Sequence, residues 1–134
     1  MKYLSISVIL IFSLSTYANP KTEVLLIYGD SISAGYGMSK EKQWSLILQE
    51  KINKENLKIK VINSSISGET TSGGLARLSQ TIKSIKPDYL LLELGGNDAL
   101  RGYPPRQIAS NIAEMIKIAD SASTKVLLMQ IRIP

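Results

Sequence analysis

The sequence predicts an α/β domain, a parallel sheet with helices covering both of its faces. Short apolar runs recur at residues 23–28, 58–63, 88–94 and 124–131. The first and third do not alternate with polar residues, which marks strands buried on both sides. Segments with apolar residues at helical spacing separate the runs. Strands that alternate with amphipathic helices assemble in parallel through right-handed crossovers. The loops that follow the first three strands are rich in glycine, serine, asparagine and aspartate, and a parallel sheet brings all three to one edge.

Residues 1–18 are expected to be a signal peptide rather than part of the fold. Lys2 supplies a positive end, residues 4–14 form an apolar run, and Thr16-Tyr17-Ala18 offers small residues where a signal peptidase reads. The run is short for a membrane span, and Asn19-Pro20 follows at once; an uncleaved anchor is the alternative. Export to a bacterial periplasm or beyond follows, with no stable span after cleavage. Residues 19–134 fit within one domain.

Within that domain, 23–28 is the first strand. Residues 40–53 set Trp44, Ile47, Leu48 and Ile52 at helical spacing, and 58–63 is the second strand. Residues 71–85 align Leu75, Leu78, Ile82 and Ile85, and Pro87 ends that helix before the third strand at 88–94. Pro104-Pro105 opens a third helix whose Ile108, Ile112, Met115, Ile116 and Ala119 share a face. The fourth strand is expected at 124–131, where Val126 to Met129 would be left on a poorly covered sheet edge.

Composition narrows the function. The chain has 134 residues, 44% hydrophobic and 20% charged, which describes a globular chain and not a disordered one. A net charge of +5 comes from scattered lysines, so no nucleic-acid footprint is expected. There is no cysteine, which excludes disulfides and thiolate metal sites, and there is no histidine. No metal or cofactor is expected.

The three loops carry the candidate chemistry. They are Gly29-Asp30-Ser31, Asn63 through Thr70 with Gly68 inside it, and Gly95-Gly96-Asn97-Asp98. In an open parallel sheet ligands bind at the carboxyl ends of the strands. A serine, a glycine backbone and an asparagine amide can meet there, as acyl transfer requires: a nucleophile, with donors placed where a carbonyl oxygen becomes an anion. Each member also has a plain structural reading. Asp30 or Ser31 can cap a helix, Gly68 can permit a turn, Gly95-Gly96 can allow close strand–helix approach, and Asn97 can make an Asx turn. Glu69 and Glu93 read as solvated or structurally paired. Tyr36 and Tyr103 read as packing residues, with an acyl-pocket role as the alternative.

The chain resembles the SGNH, or GDSL, hydrolase family, and within it the exported bacterial esterase, acyl-CoA thioesterase I and lysophospholipase branch. The residues that carry the resemblance are the run from Gly29 to Gly37, Ile66-Ser67-Gly68-Glu69-Thr70 with Gly74 to Leu78, the block from Glu93 to Asp98, and Leu128 to Arg132. The resemblance implies a three-layer α/β/α sandwich, flavodoxin-like, around a five-stranded parallel sheet. It implies Ser31 as nucleophile, with the Ser31 N–H, the Gly68 N–H and the Asn97 side-chain amide as the oxyanion hole. Its substrates would be acyl esters and thioesters, lysophospholipids among them. The family's catalytic base is a histidine preceded three positions earlier by an aspartate, and neither lies in this chain.

Residues 19–134 are therefore expected to be the N-terminal part of one hydrolase domain, lacking a C-terminal strand and helix. By itself that part is expected to be inactive and poorly soluble. Asp30 is no replacement base if it is an exposed carboxylate pointing away from Ser31. A carbohydrate O-acetyl esterase and a non-catalytic exported binding module are the alternative readings.

Overall fold

The four apolar runs form one parallel sheet. The computed structural model describes residues 21–131, so the expected signal peptide lies outside the described residues. In chain order the elements are β1 (Glu23–Gly29), α1 (Ser31–Ala34), α2 (Trp44–Lys54), β2 (Ile59–Asn63), α3 (Thr71–Ile85), β3 (Tyr89–Glu93), α4 (Gly96–Leu100), α5 (Pro105–Ser121) and β4 (Lys125–Leu128). The strand order is β2-β1-β3-β4. Leu26 pairs with Ile62 on one side and Leu90 on the other, and Leu92 pairs with Leu128. The chain leaves β1 toward β2 and then crosses back over β1 to reach β3. That reversal opens a crevice at the carboxyl ends of β1 and β3, the place where such sheets bind ligands.

Alternating side chains divide the sheet between two helical layers. Leu26, Tyr28, Leu90, Leu92 and Leu94 pack with Leu78 and Ile82 of α3 and Met115 and Ala119 of α5. Each fully buried side chain of this size contributes about 1.5–3 kcal/mol. The helix α3 comes so near the sheet at Gly74 that a Cβ there would stand 2.5 Å from Leu94 Cδ1. The close approach lets Tyr28 Oη donate to the Gly74 carbonyl at 2.7 Å, so the buried phenol has its partner. Burial pushes its pKa up to about 12, against the lowering effect of Arg77. On the opposite face lie Leu25 and Ile27, and α2 packs along β2.

The helix α3 runs over the expected residues because its ends are well signalled. Thr70 Oγ1 accepts from the Gly73 N–H, and Lys86 closes the helix in the left-handed region just before Pro87. The segment 40–53 needs correction. Lys40–Lys42 form a separate 3₁₀ turn, and extended Gln43 breaks the chain before α2 starts at Trp44. Of the expected face of α2, Ile52 is buried and Trp44 and Leu48 are half-buried, but Ile47 is 50% exposed and Ser45 is buried instead. The cause is the edge of β2. Gln49 donates from Nε2 to the Ile59 carbonyl at 3.1 Å and accepts from the Val61 N–H at 2.7 Å. Backbone groups on that edge need partners, and α2 turns Gln49 toward them.

The fourth strand is shorter than expected, and residues 129–131 leave the ladder after Met129 N–H bonds the Leu92 carbonyl. As the uncovered edge implied, Leu127 and Leu128 are more than half exposed. A hollow of about 340 Å³ lies beside β4, lined by Ile108, Ile112 and Leu128 among others. Two one-turn helices, α1 and α4, replace what read as loops after β1 and β3. Among the described residues no helix is long and apolar enough to cross a membrane.

One charged side chain sits inside this packing. Glu93, at the end of β3, is fully buried and accepts from Ser33 Oγ. It is not solvated, as one reading of the sequence allowed. Burial raises its pKa above the ordinary carboxylate value, opposed by the Ser33 hydrogen bond and reinforced by the nearby Asp30 charge. The folded chain thus binds this proton more tightly than the unfolded chain. Glu93 therefore supports stability fully below the ordinary glutamate range, and that support is lost as pH rises through the folded pKa. Stability measured by urea denaturation should fall over this interval in the parent chain, and Glu93→Gln should flatten the fall. At fixed pH, Leu78→Ala should lower stability by about 2–5 kcal/mol, read as a lower urea midpoint at unchanged slope.

Candidate active site

The site is built from the first residue after β1. Asp30 is the N-cap of α1: its Oδ1 accepts from the Ile32 N–H at 3.0 Å. Its Oδ2 accepts from Asn97 Nδ2 at 3.0 Å. The capping reading of Gly-Asp-Ser therefore holds for Asp30, and Asp30 is 2% exposed rather than solvated. Ser31 opens α1 and is half-buried. Its hydroxyl has no hydrogen-bond partner among the described residues. The single turn of α1 is closed by Gly35, whose N–H donates to the Ser31 carbonyl from a left-handed backbone.

The second loop lies along the end of β1. Its Ile66 N–H bonds the Gly29 carbonyl at 3.0 Å, and Ser65 Oγ accepts from the Gly29 N–H at 3.0 Å. Gly68 has φ +80°, so the turn does require glycine there, as its plain reading held. Its carbonyl accepts from Arg101 Nη2 at 3.1 Å. Next to it, the Glu69 carboxylate takes the Arg77 Nε hydrogen at 2.6 Å, and the Arg77 guanidinium lies 4.0 Å from the centre of the Tyr28 ring. Glu69 is thus structurally paired.

The third loop supplies the bridge. Asn97, on α4, donates from Nδ2 both to Asp30 Oδ2 and to the Glu69 carbonyl, each at 3.0 Å. The amide is therefore not confined to a local Asx turn; it joins the residue before Ser31 to the residue after Gly68. Both of its hydrogens are engaged, so a substrate oxygen would take one in exchange for, or shared with, a protein acceptor. The neighbouring Asp98 is fully buried and accepts from the Thr71 N–H at 2.8 Å and from the Thr71 hydroxyl. Asn111 Nδ2 in turn donates to Thr71 Oγ1 at 2.9 Å.

The three predicted residues thus stand on loops tied to one another at one edge of the sheet. Tyr36 and Tyr103 do not pack: they are 78% and 39% exposed. The sequence reading missed Asp98, Arg101 and Arg77 as fasteners of the second loop, and the burial of Glu93. Glu93 did carry a signal, being the lone charge between Tyr89 and Leu94. Among the described residues no group of three or more His, Cys, Asp or Glu could hold a metal ion.

The chain is similar to known proteins over most of its length. Over 129 residues the chain is 46% identical to an arylesterase of Vibrio mimicus, covering 96% of this chain and 64% of that one. It is 43% identical over 121 residues to the thioesterase 1/protease 1/lysophospholipase L1 of Escherichia coli K12, covering 90% of this chain and 57% of the relative. The chain therefore spans about three-fifths of the length of these relatives. The crystal structure of TesA superposes with a TM-score of 0.82 at 44% identity, over 84% of this chain and 62% of that one. That of the psychrotrophic esterase EstA from Pseudoalteromonas sp. superposes with a TM-score of 0.80 at 41% identity, over 84% and 61%. The model of the GDSL-like Lipase/Acylhydrolase family matches residues 27–134, which takes in all three loops, and the chain belongs to that family.

Proposed function

We propose that the chain carries the nucleophile and the oxyanion hole of a metal-independent serine hydrolase of acyl esters and thioesters. The observation that carries this reading is the Asn97 amide fastened between Asp30 and Glu69, next to Ser31 and Gly68. Ser31 Oγ attacks the acyl carbonyl, and the carbonyl oxygen becomes an anion. The Ser31 N–H, the Gly68 N–H and the Asn97 amide donate to it. Collapse expels the alcohol or thiol and leaves an acyl-serine, which water hydrolyses to regenerate Ser31.

The Ser31 proton needs a base, and the chain holds no histidine. Buried Asp30 is spent on Ile32 and Asn97. We assign the base to a histidine, with its aspartate, outside these 134 residues. For substrates we infer fatty acyl thioesters, lysophospholipids and simple aryl or short-chain esters. Ile32 and Ile66, on the two loops beside Ser31, are about half exposed and offer apolar surface to an acyl chain. The names of the relatives, arylesterase and thioesterase 1/lysophospholipase L1, support the same range. Export through residues 1–18 belongs to this reading.

The test joins the chain at Pro134 to the C-terminal remainder of the Vibrio mimicus arylesterase, the part that relative has beyond the match. This chimaera should hydrolyse p-nitrophenyl esters and acyl thioesters. The 134-residue chain alone should fall short of it by on the order of 10⁶-fold in kcat, since serine and its base act as one unit. In the chimaera Ser31→Ala should abolish turnover and labelling by a phosphonate probe; turnover that survives refutes the assignment. Asn97→Ala should cost about 10²–10³-fold in kcat through the lost oxyanion donor.

A further inference from the structure

Glu93 closes β3, and the sheet register sets it opposite Gly29, two residues before Ser31. Its carboxyl reaches beneath that turn. A Cβ at residue 29 would stand 2.5 Å from Glu93 Oε2 and 2.8 Å from the Glu93 carbonyl oxygen, so no side chain fits there. Beyond Gly29 the carboxyl meets Ser33, whose Oγ donates to Oε2 at 2.7 Å. Ser33 lies two residues after Ser31 on the single turn of α1, and its carbonyl accepts from Asn63 Nδ2 at 2.7 Å. One buried side chain therefore props the serine turn on both sides of Ser31.

Stability does not account for an acid at this position. Glu93 has no ion-pair partner among the described residues, and its Oε1 is buried without a hydrogen bond. An apolar residue of similar volume would fill the space without that desolvation cost. A methylene chain would not, however, offer an acceptor to Ser33 at a fixed height.

Resting on the assignment of Ser31 as nucleophile, we propose that Glu93 is a positioning residue. Braced between Gly29 and Ser33, its carboxyl sets the height at which the Ser31 hydroxyl meets an acyl carbonyl held by Gly68 and Asn97. A displacement of about 1 Å in a reacting group costs about 10²-fold in rate, so a brace two residues away is felt in kcat.

In the chimaera described above, Glu93→Ala and Ser33→Ala should each lower kcat by about 10²-fold with KM unchanged. Glu93→Gln keeps the length and an acceptor for Ser33, and should return kcat close to the parent value. Glu93→Asp, one methylene shorter, should not. In the same chimaera, the backbone amide resonance of Ser31 should shift in Glu93→Asp and Ser33→Ala and stay in place in Glu93→Gln. If Glu93→Ala fails to fold by circular dichroism, the comparison of Ser33→Ala, Glu93→Asp and Glu93→Gln decides. Parent-like kcat in folded Ser33→Ala and Glu93→Asp overturns the proposal, as does a loss confined to KM. Ser31→Ala separates the two assignments: turnover without the Ser31 hydroxyl sinks the nucleophile itself. Loss of turnover there, beside parent-like Ser33→Ala, sinks only the role of Glu93.

Discussion

The amide of Asn97 is the contact on which the site depends. The first and second loops are joined by backbone, through Ile66 to Gly29 and Ser64 to Ile27. The third loop reaches the first through one side chain, Asn97 to Asp30. A hydrogen bond to a carboxylate in a buried setting contributes about 1.5–3 kcal/mol, more than a neutral pair does. The same nitrogen holds the Glu69 carbonyl, so its two hydrogens fix three loops relative to one another. Asp98 on the same short helix and Arg101 just past its end then secure the start of α3 at Thr71 and the second loop at Gly68.

Strand order makes that contact possible. With β1 between β2 and β3, the loops following β1 and β3 emerge side by side, and Gly29 faces Glu93 in register. Had β2 stood between them, Asp30 and Asn97 would be separated by a further strand spacing of about 5 Å, beyond hydrogen-bond reach. The topological reversal and the polar cluster are therefore two views of one constraint. The crossover from β2 to β3 puts α3 on the face where α5 also packs, and their shared apolar core leaves the strand ends free for polar groups.

Much of this was legible in the sequence, for identifiable reasons. The alternation of strand and helix, the bounds of α3 and the three polar loops follow from local signals: periodicity, Pro87, and glycine at loop positions. The exposure of Ile47 on α2 was not legible, because Gln49 is drawn to an edge strand that only the assembled sheet creates. The burial of Asp30, Glu93 and Asp98 was hidden for a related reason. A carboxylate is read as exposed until the partner that satisfies it is known, and here the partners lie 2, 60 or 27 residues away. Gly29 illustrates the limit well. Its place before Asp-Ser reads as a turn glycine, whereas its true constraint is the Glu93 carboxyl beneath it.

The two ends of the sheet do opposite work. Toward the middle, Leu26, Leu90 and Leu92 exclude water and supply the cohesion of the domain. At the carboxyl ends, Asp30, Glu93 and Asp98 are buried with directional partners, an arrangement that costs desolvation and returns fixed geometry. The proposed acyl transfer would gain from that exchange. Donors that must reorient as charge develops lose much of their benefit to reorganisation, whereas donors already held do not. A leucine cluster could hold the loops together but could not orient an amide hydrogen. The Asp30 carboxylate does so for Asn97, and on the function proposed above the buried acids at the rim of an otherwise apolar sheet serve to keep Asn97, Gly68 and Ser31 in fixed relation.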